Sequence, residues 1–195
     1  TVERFAPCRS GSPSHRPLGP RRREPVVLLK KICMLGAYAV GKTSLVSRFV
    51  YRLYDERYHS TVGVRIDKAK VEAGGQPLEL MLWDLEGDDE LAPLRQSYLR
   101  GAAGYILVGD GTRPATFDAI ETIQRNAREV LGDVPFVVAV NKCDLSSAWA
   151  LEDAWLGRAR ARGWTCVETS AKTGVGVPEL FVALAERLAG PIRDV

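Results

Sequence analysis

The stretch Gly36-Ala37-Tyr38-Ala39-Val40-Gly41-Lys42-Thr43 follows the apolar run 27–35 and leads into an amphipathic segment at 42–53. Its spacing, GxxxxGK[ST], constrains the chain more than any other feature. Glycines at the first and sixth positions let the backbone curl until several N–H groups face one way, and a helix opening there adds positive potential. Such a loop is built for an anion. Lys42 can bring a point charge to the β- and γ-phosphates of a nucleoside triphosphate, and the Thr43 hydroxyl can ligate Mg²⁺. Ser44 follows at the helix start and is counted with the loop as nucleotide-contacting. The spacing selects a triphosphate but not its base.

Short apolar runs bounded by Gly, Pro, Asn or Asp predict strands at 27–35, 64–72, 78–84, 104–110, 135–140 and 164–168. Helices are predicted at 42–53, 89–100, 115–131, 149–162 and 177–189, the last placing Val177, Leu180, Phe181, Leu184 and Leu188 on one core-facing stripe. Strands alternating with helices imply βαβ units and a parallel sheet covered on both faces. The pair 64–72 and 78–84, joined by Ala73-Gly74-Gly75-Gln76-Pro77, reads instead as an antiparallel hairpin. The expected fold is therefore α/β, a six-stranded, mostly parallel sheet with one antiparallel strand. In open sheets of this kind ligands bind outside the carboxyl ends of the strands.

A length of 195 residues suits one domain with a sizeable core, and 46% hydrophobic with 26% charged residues is ordinary for a globular protein. Neither an apolar run long enough to span a bilayer nor a signal-like apolar block is visible. The four cysteines, Cys8, Cys33, Cys143 and Cys166, lack CxxC pairing and His partners at metal-ligand spacing. A reducing, cytoplasmic setting is expected, with Cys33 and Cys166 as small core residues; a structural disulfide is the alternative. Residues 1–25 hold six arginines against Glu3 and Glu24, a charge of +4, which leaves −1 for the rest of a chain at +3. With five prolines besides, this segment is expected to be a disordered basic tail, and 26–195 the folded domain. Nothing in the folded part advertises nucleic-acid binding.

Two further motifs follow later strands: Asn141-Lys142-Cys143-Asp144-Leu145 and Glu168-Thr169-Ser170-Ala171-Lys172. Guanine presents N1–H and N2–H₂ side by side, so a carboxylate such as Asp144 can accept both. Adenine would leave that carboxylate facing a lone pair, and unpaired buried groups give the strongest discrimination.

NKxD and TSAK, in this order after a GxxxxGKT loop, resemble the base-recognition set of Ras-superfamily GTPases of the Rab type. The resemblance covers residues 28–190 and implies a P-loop GTPase domain that binds GTP or GDP with Mg²⁺. It implies that Asn141 braces the base pocket, Lys142 lies over the base and Leu145 lines it. The Ala171 N–H would read the guanine O6 beside Ser170, with Lys172 packed opposite.

The segment Tyr54-Asp55-Glu56-Arg57-Tyr58-His59-Ser60-Thr61-Val62-Gly63-Val64 resembles the Rab first switch, with Thr61 lying 19 residues after Lys42. The family gives that Thr hydroxyl to Mg²⁺ and its backbone to the γ-phosphate. Tyr54 resembles the aromatic beside guanine and Tyr58 the switch tyrosine, although an ordinary surface aromatic remains open for each. Trp83-Asp84-Leu85-Glu86-Gly87-Asp88-Asp89-Glu90-Leu91 stands where Rab proteins have WDTAGQE. By that resemblance Asp84 holds Mg²⁺ through water, and the Gly87 N–H meets the γ-phosphate.

The departures fall on the hydrolytic step. Lys42, Thr61, Gly87 and Asp88 are the residues expected to act in it, yet Asp88 replaces the glutamine that orients the attacking water. It is shorter, lacks an amide donor and places a negative charge near an anionic phosphate. Glu86 adds another. Slow intrinsic hydrolysis is expected, at or below the roughly 3–5 × 10⁻⁴ s⁻¹ of unassisted Ras. Tyr38 stands where Ras has a small glycine. A ring there would obstruct an arginine finger, contact phosphate through its hydroxyl, or fold outward. The last six residues, Gly190-Pro191-Ile192-Arg193-Asp194-Val195, show no cysteine for a lipid anchor, and the phrase YLRGAAGYILVGD resembles a bacterial Rab-like branch. The resemblance implies a monomeric switch read by effector, exchange-factor and GTPase-activating proteins. A non-hydrolysing guanine-nucleotide adaptor is the alternative.

Overall fold

A computed structural model describes residues 28–54, 63–85 and 97–190. In chain order these form β1 (Leu28–Leu35), α1 (Lys42–Tyr51), β2 (Val64–Ala73), β3 (Gln76–Leu85), β4 (Gly104–Asp110), α2 (Ala115–Leu131), β5 (Phe136–Asn141), α3 (Asp153–Ala161), β6 (Cys166–Thr169) and α4 (Val177–Ala189). The sheet runs β2-β3-β1-β4-β5-β6, with β2 antiparallel to β3 and every other pairing parallel.

Alternation along the central strands explains the layers. Ile32 and Met34 of β1 and Ile106 and Val108 of β4 face α1 and α4, where they join Leu45, Val177, Leu180, Phe181 and Leu184. Cys33, Leu35, Tyr105 and Leu107 point the other way, toward Phe117 and Ile120 of α2 and Trp155 of α3. Burial on both faces is why these strands read as continuous apolar runs rather than alternating ones. Phe49 of α1 stacks on Phe181 of α4 at 3.9 Å between ring centroids, which joins the two helices on their common face. Leu188 is partly buried at the edge of the same core.

The expected fold and most of its elements are present. Of the predicted 89–100 helix, residues 89–96 lie outside the described residues, and 97–99 are helical. The predicted 149–162 helix begins only at Asp153, after a 3₁₀ turn at Ser146–Ala148. Its first turn is recruited elsewhere: Ala150 and Leu151 both donate their N–H to the Gly111 carbonyl, at 2.9 and 3.0 Å. The Trp149 ring sits where a Cβ on Gly111 would lie, only 2.1 Å from it. β6 starts at Cys166 rather than 164 because the Trp164 N–H closes α3 by donating to Ala159 O. Cys33, Cys143 and Cys166 are free thiols, and Cys33 is fully buried as expected. Among the described residues no helix is long and apolar enough to cross a membrane. The proposed 1–25 tail lies outside the described residues.

Candidate functional site

Parallel pairing sets the carboxyl ends of β1, β3, β4, β5 and β6 along one edge of the sheet. Asp110, Asn141 and Thr169 occupy one row across β4, β5 and β6, and Met34 pairs with Asp84 across β1 and β3. The loops that leave this edge carry the motifs.

The phosphate-type loop needs both its glycines. A Cβ on Gly36 would lie 2.3 Å from the Val108 carbonyl oxygen, and one on Gly41 would lie 2.4 Å from Asn141 Nδ2. Both have positive φ, 148° and 101°, and Ala39 between them is also left-handed at 59°. Ala37 and Val40 are buried, whereas Tyr38 is half exposed. α1 opens with no acidic residue in its first turn, so its positive end faces the loop without competition from a local carboxylate. Lys42 is buried, and its ammonium donates to the carbonyls of Gly36 at 2.8 Å and Ala37 at 3.1 Å.

Beside it, the Asp84 carboxyl is fully buried at the end of β3. Neither carboxyl oxygen has a well-aligned hydrogen-bond partner among the described residues. Burial raises its pKa above the usual carboxylate value, and Thr43 and Lys42 nearby pull it down without cancelling the rise. A buried carboxylate short of partners beside a Thr hydroxyl fits a hard cation. No group of three or more His, Cys, Asp or Glu capable of caging a metal occurs among the described residues. Mg²⁺ usually keeps several waters and takes one or two protein oxygens plus substrate phosphates, and Asp84 with Thr43 are the described oxygens that could hold it.

The base loops are joined to the phosphate loop by one side chain. Asn141 donates through Nδ2 to the Val40 carbonyl at 2.9 Å. Its Oδ1 accepts the Thr169 hydroxyl at 3.2 Å and the Ala171 N–H at 3.3 Å. The Ser170 hydroxyl donates to Asp144 Oδ1 at 2.6 Å, which orients the acceptor expected to read the base. Lys142, left-handed at φ 69°, pairs with Asp110 at 2.7 Å. Leu145 is exposed at the rim and Tyr54 partly so. Ser44 lies in the first turn of α1 and Lys172 on the exposed base loop.

Three contributors went unread in the sequence. Arg48 of α1 donates through Nε to the Ala171 carbonyl at 2.8 Å and through Nη2 to that of Lys172, so it clamps the base loop from beneath. Asp110 accepts from Lys142, from Arg113 and from the Thr112 N–H and hydroxyl. Burial pushes its pKa up, but hydrogen bonds from Lys142, Thr112 and Arg113 outweigh burial and hold it below the ordinary value. Arg113 also reaches Tyr38 O at 2.9 Å. The visible signal was modest: a charged residue closing an apolar strand, and a basic residue on the buried-side helix. Tyr58, Thr61, Glu86, Gly87 and Asp88 lie outside the described residues.

A glycine-braced anion loop at the head of a parallel sheet, facing a carboxylate-bearing base loop, defines a nucleotide-binding α/β protein. The Ras family profile matches residues 31–190. The chain is 33% identical to Ras-related protein Rab-10 of Caenorhabditis elegans over 174 residues, 88% of this chain and 87% of that protein. It is 33% identical to GTP-binding protein yptV2 of Volvox carteri over 161 residues, covering 81% and 74% of the two chains. Ras-related protein Rab-22A of Mus musculus is likewise 33% identical over 161 residues, covering 81% and 82%. The chain belongs to the Ras family and is a Rab-like, guanine-nucleotide-binding small GTPase.

Proposed function

We propose that the chain is a Mg²⁺-dependent GTP switch that hydrolyses slowly and signals through partners at its switch segments. The observation that carries this reading is the Asn141 side chain, which ties the phosphate loop at Val40 to the base loop at Thr169 and Ala171. Phosphate and base recognition are thereby built as one unit. Lys42 neutralises the β- and γ-phosphates, exchanging its loop carbonyls for stronger, charge-assisted partners. Asp144 accepts from the guanine N1–H and N2–H₂, aligned by Ser170. Reading of the guanine O6 by the Ala171 N–H would require that donor to leave its long bond to Asn141. Thr43, Thr61 and Asp84 would hold Mg²⁺, which when bound neutralises charge developing on the transferring phosphoryl group.

Thr61 and Gly87 are the γ-phosphate sensors in this reading, and they order residues 54–66 and 85–97 into a surface for effector, exchange-factor and GTPase-activating proteins. The protein works as a cytoplasmic monomer, with 1–25 as a basic appendage to a 26–195 domain. Asp88 and Glu86 favour a second reading, a guanine-nucleotide adaptor without useful turnover. Chromatography of the co-purifying nucleotide, followed by hours-long measurement of phosphate release with and without Mg²⁺, separates the two. Bound GDP with slow, Mg²⁺-dependent release supports the switch; stable GTP with no release supports the adaptor; absence of guanine nucleotide overturns both.

A further inference from the structure

We infer that Arg113 is a positioning residue for nucleotide retention, joining the phosphate loop to the base loop through Asp110. The inference rests on the guanine-nucleotide reading above. Its guanidinium is used as a fork: Nε meets Asp110 Oδ2 at 2.8 Å, and Nη2 donates to the Tyr38 carbonyl at 2.9 Å. Lys142 of the base loop meets the same Asp110 oxygen at 2.7 Å. One buried carboxylate oxygen therefore meets both Lys142 of the base loop and the arginine that reaches the phosphate loop.

The fork springs from a fixed point. The buried Thr116 side chain accepts the Asp110 N–H at 3.0 Å and donates to the Arg113 carbonyl at 2.7 Å. Pro114 follows directly and fixes its own φ at −52°. Arg113 itself is partly exposed, and an exposed ion pair alone would contribute little. Here, however, the carboxylate is buried and accepts four donors, so the geometry is held from both ends.

The consequence reaches the phosphate cradle through the backbone. A planar trans peptide sets the N–H of residue 39 opposite the carbonyl of residue 38. By holding Tyr38 O, Arg113 fixes where the Ala39 N–H points, in the middle of the loop. By holding Asp110, it fixes the acceptor that orients Lys142. No other described side chain is bonded to both the Tyr38 carbonyl and the Asp110 carboxylate.

Release of N-methylanthraniloyl-GDP from the full chain into excess GDP, with Mg²⁺ present, tests this. Arg113→Ala is expected to speed release roughly tenfold or more, the loss of charge-assisted bonds. Arg113→Lys keeps the charge but cannot span both acceptors, so its release stays faster than wild type. The combination of R113A with Lys142→Ala is expected to speed release by less than the product of the single effects, because both act through Asp110. Release within twofold of wild type for both Arg113 variants, or strictly multiplicative effects, would overturn the inference. Should R113A fail to fold by circular dichroism, R113K carries the decision. Failure of the wild-type chain to bind GDP would instead overturn the nucleotide reading, and this inference with it.

Discussion

Asn141 Nδ2 lies 2.9 Å from the carbonyl oxygen of Val40, a residue 101 positions earlier in the chain. One buried amide therefore ties together the loops that the proposed reading gives to phosphate and to base. Asn141→Ala would leave the Val40 carbonyl, the Thr169 hydroxyl and the Ala171 N–H without that partner. A loss of about 2–3 kcal/mol in unfolding free energy is expected, together with weakened GDP binding. Asn141→Asp is expected to be no milder, since a carboxylate oxygen would then face the Val40 carbonyl. Urea unfolding and calorimetric titration with GDP check both variants.

Gly41 is constrained twice, by its φ of 101° and by Asn141 Nδ2 standing 2.4 Å from any added Cβ. Gly132, at the end of α2, has φ 74° and open space around it. Gly41→Ala is expected to abolish measurable GDP binding by displacing Asn141. Gly132→Ala is expected to cost about 1 kcal/mol of stability through its left-handed backbone alone, with binding unchanged. Equal GDP affinity for the two variants would contradict this assignment of causes.

Asp110 gives a pH signature. Its folded pKa is lowered, so it stabilises the fold above its ordinary value of 3.8 and loses that contribution as pH falls through the folded value. The charged groups facing it are Lys142 and Arg113, with Thr112 and Thr116 as its neutral hydroxyl neighbours. At neutral pH, Asp110→Asn should be about 1–3 kcal/mol less stable than wild type. That gap should hold down to about pH 4 and close below it. Denaturant midpoints of the two proteins across this range read the effect, and a gap independent of pH would contradict it.

Asp88 provides the catalytic test. In the proposed reading, Asp88→Gln would remove a negative charge near the γ-phosphate and supply an amide that can orient water. Single-turnover phosphate release is expected to rise, by roughly tenfold or more given the 10²–10⁴ typical of a positioned proton-handling group. An unchanged rate would move the explanation to Tyr38, and Tyr38→Gly becomes the next variant.

Much of this site is legible in the chain because its parts are local. The spacing from Gly36 to Thr43 and the strings at Asn141 and Thr169 carry their geometry within a few residues of a strand end. Residues 104–110 and 135–140 read as strands, observed at 104–110 and 136–141, because burial on both faces leaves unbroken apolar runs. What stayed hidden is long-range. Arg48 meets Ala171 across 123 positions and Arg113 meets Tyr38 across 75, and neither contact leaves a mark in local periodicity. The 149–162 helix starts four residues later than predicted for a related reason. The backbone of Ala150 and Leu151 is claimed by Gly111, a glycine about forty residues away whose missing side chain makes room for Trp149.

The buried Asp84 carboxyl makes occupancy part of the fold's own balance. Burial there outweighs the pull of Thr43 and Lys42 nearby, so a further positive partner would favour the ionised carboxylate. Ligand binding would then be linked to folding, and a cation and nucleotide bound there would raise stability as their concentrations rise above their dissociation constants. On that footing, in the proposed switch, the two long-lived forms would both be loaded ones. The empty chain would then be a short passage between them, and an exchange partner of the proposed switch would have to shelter that passage.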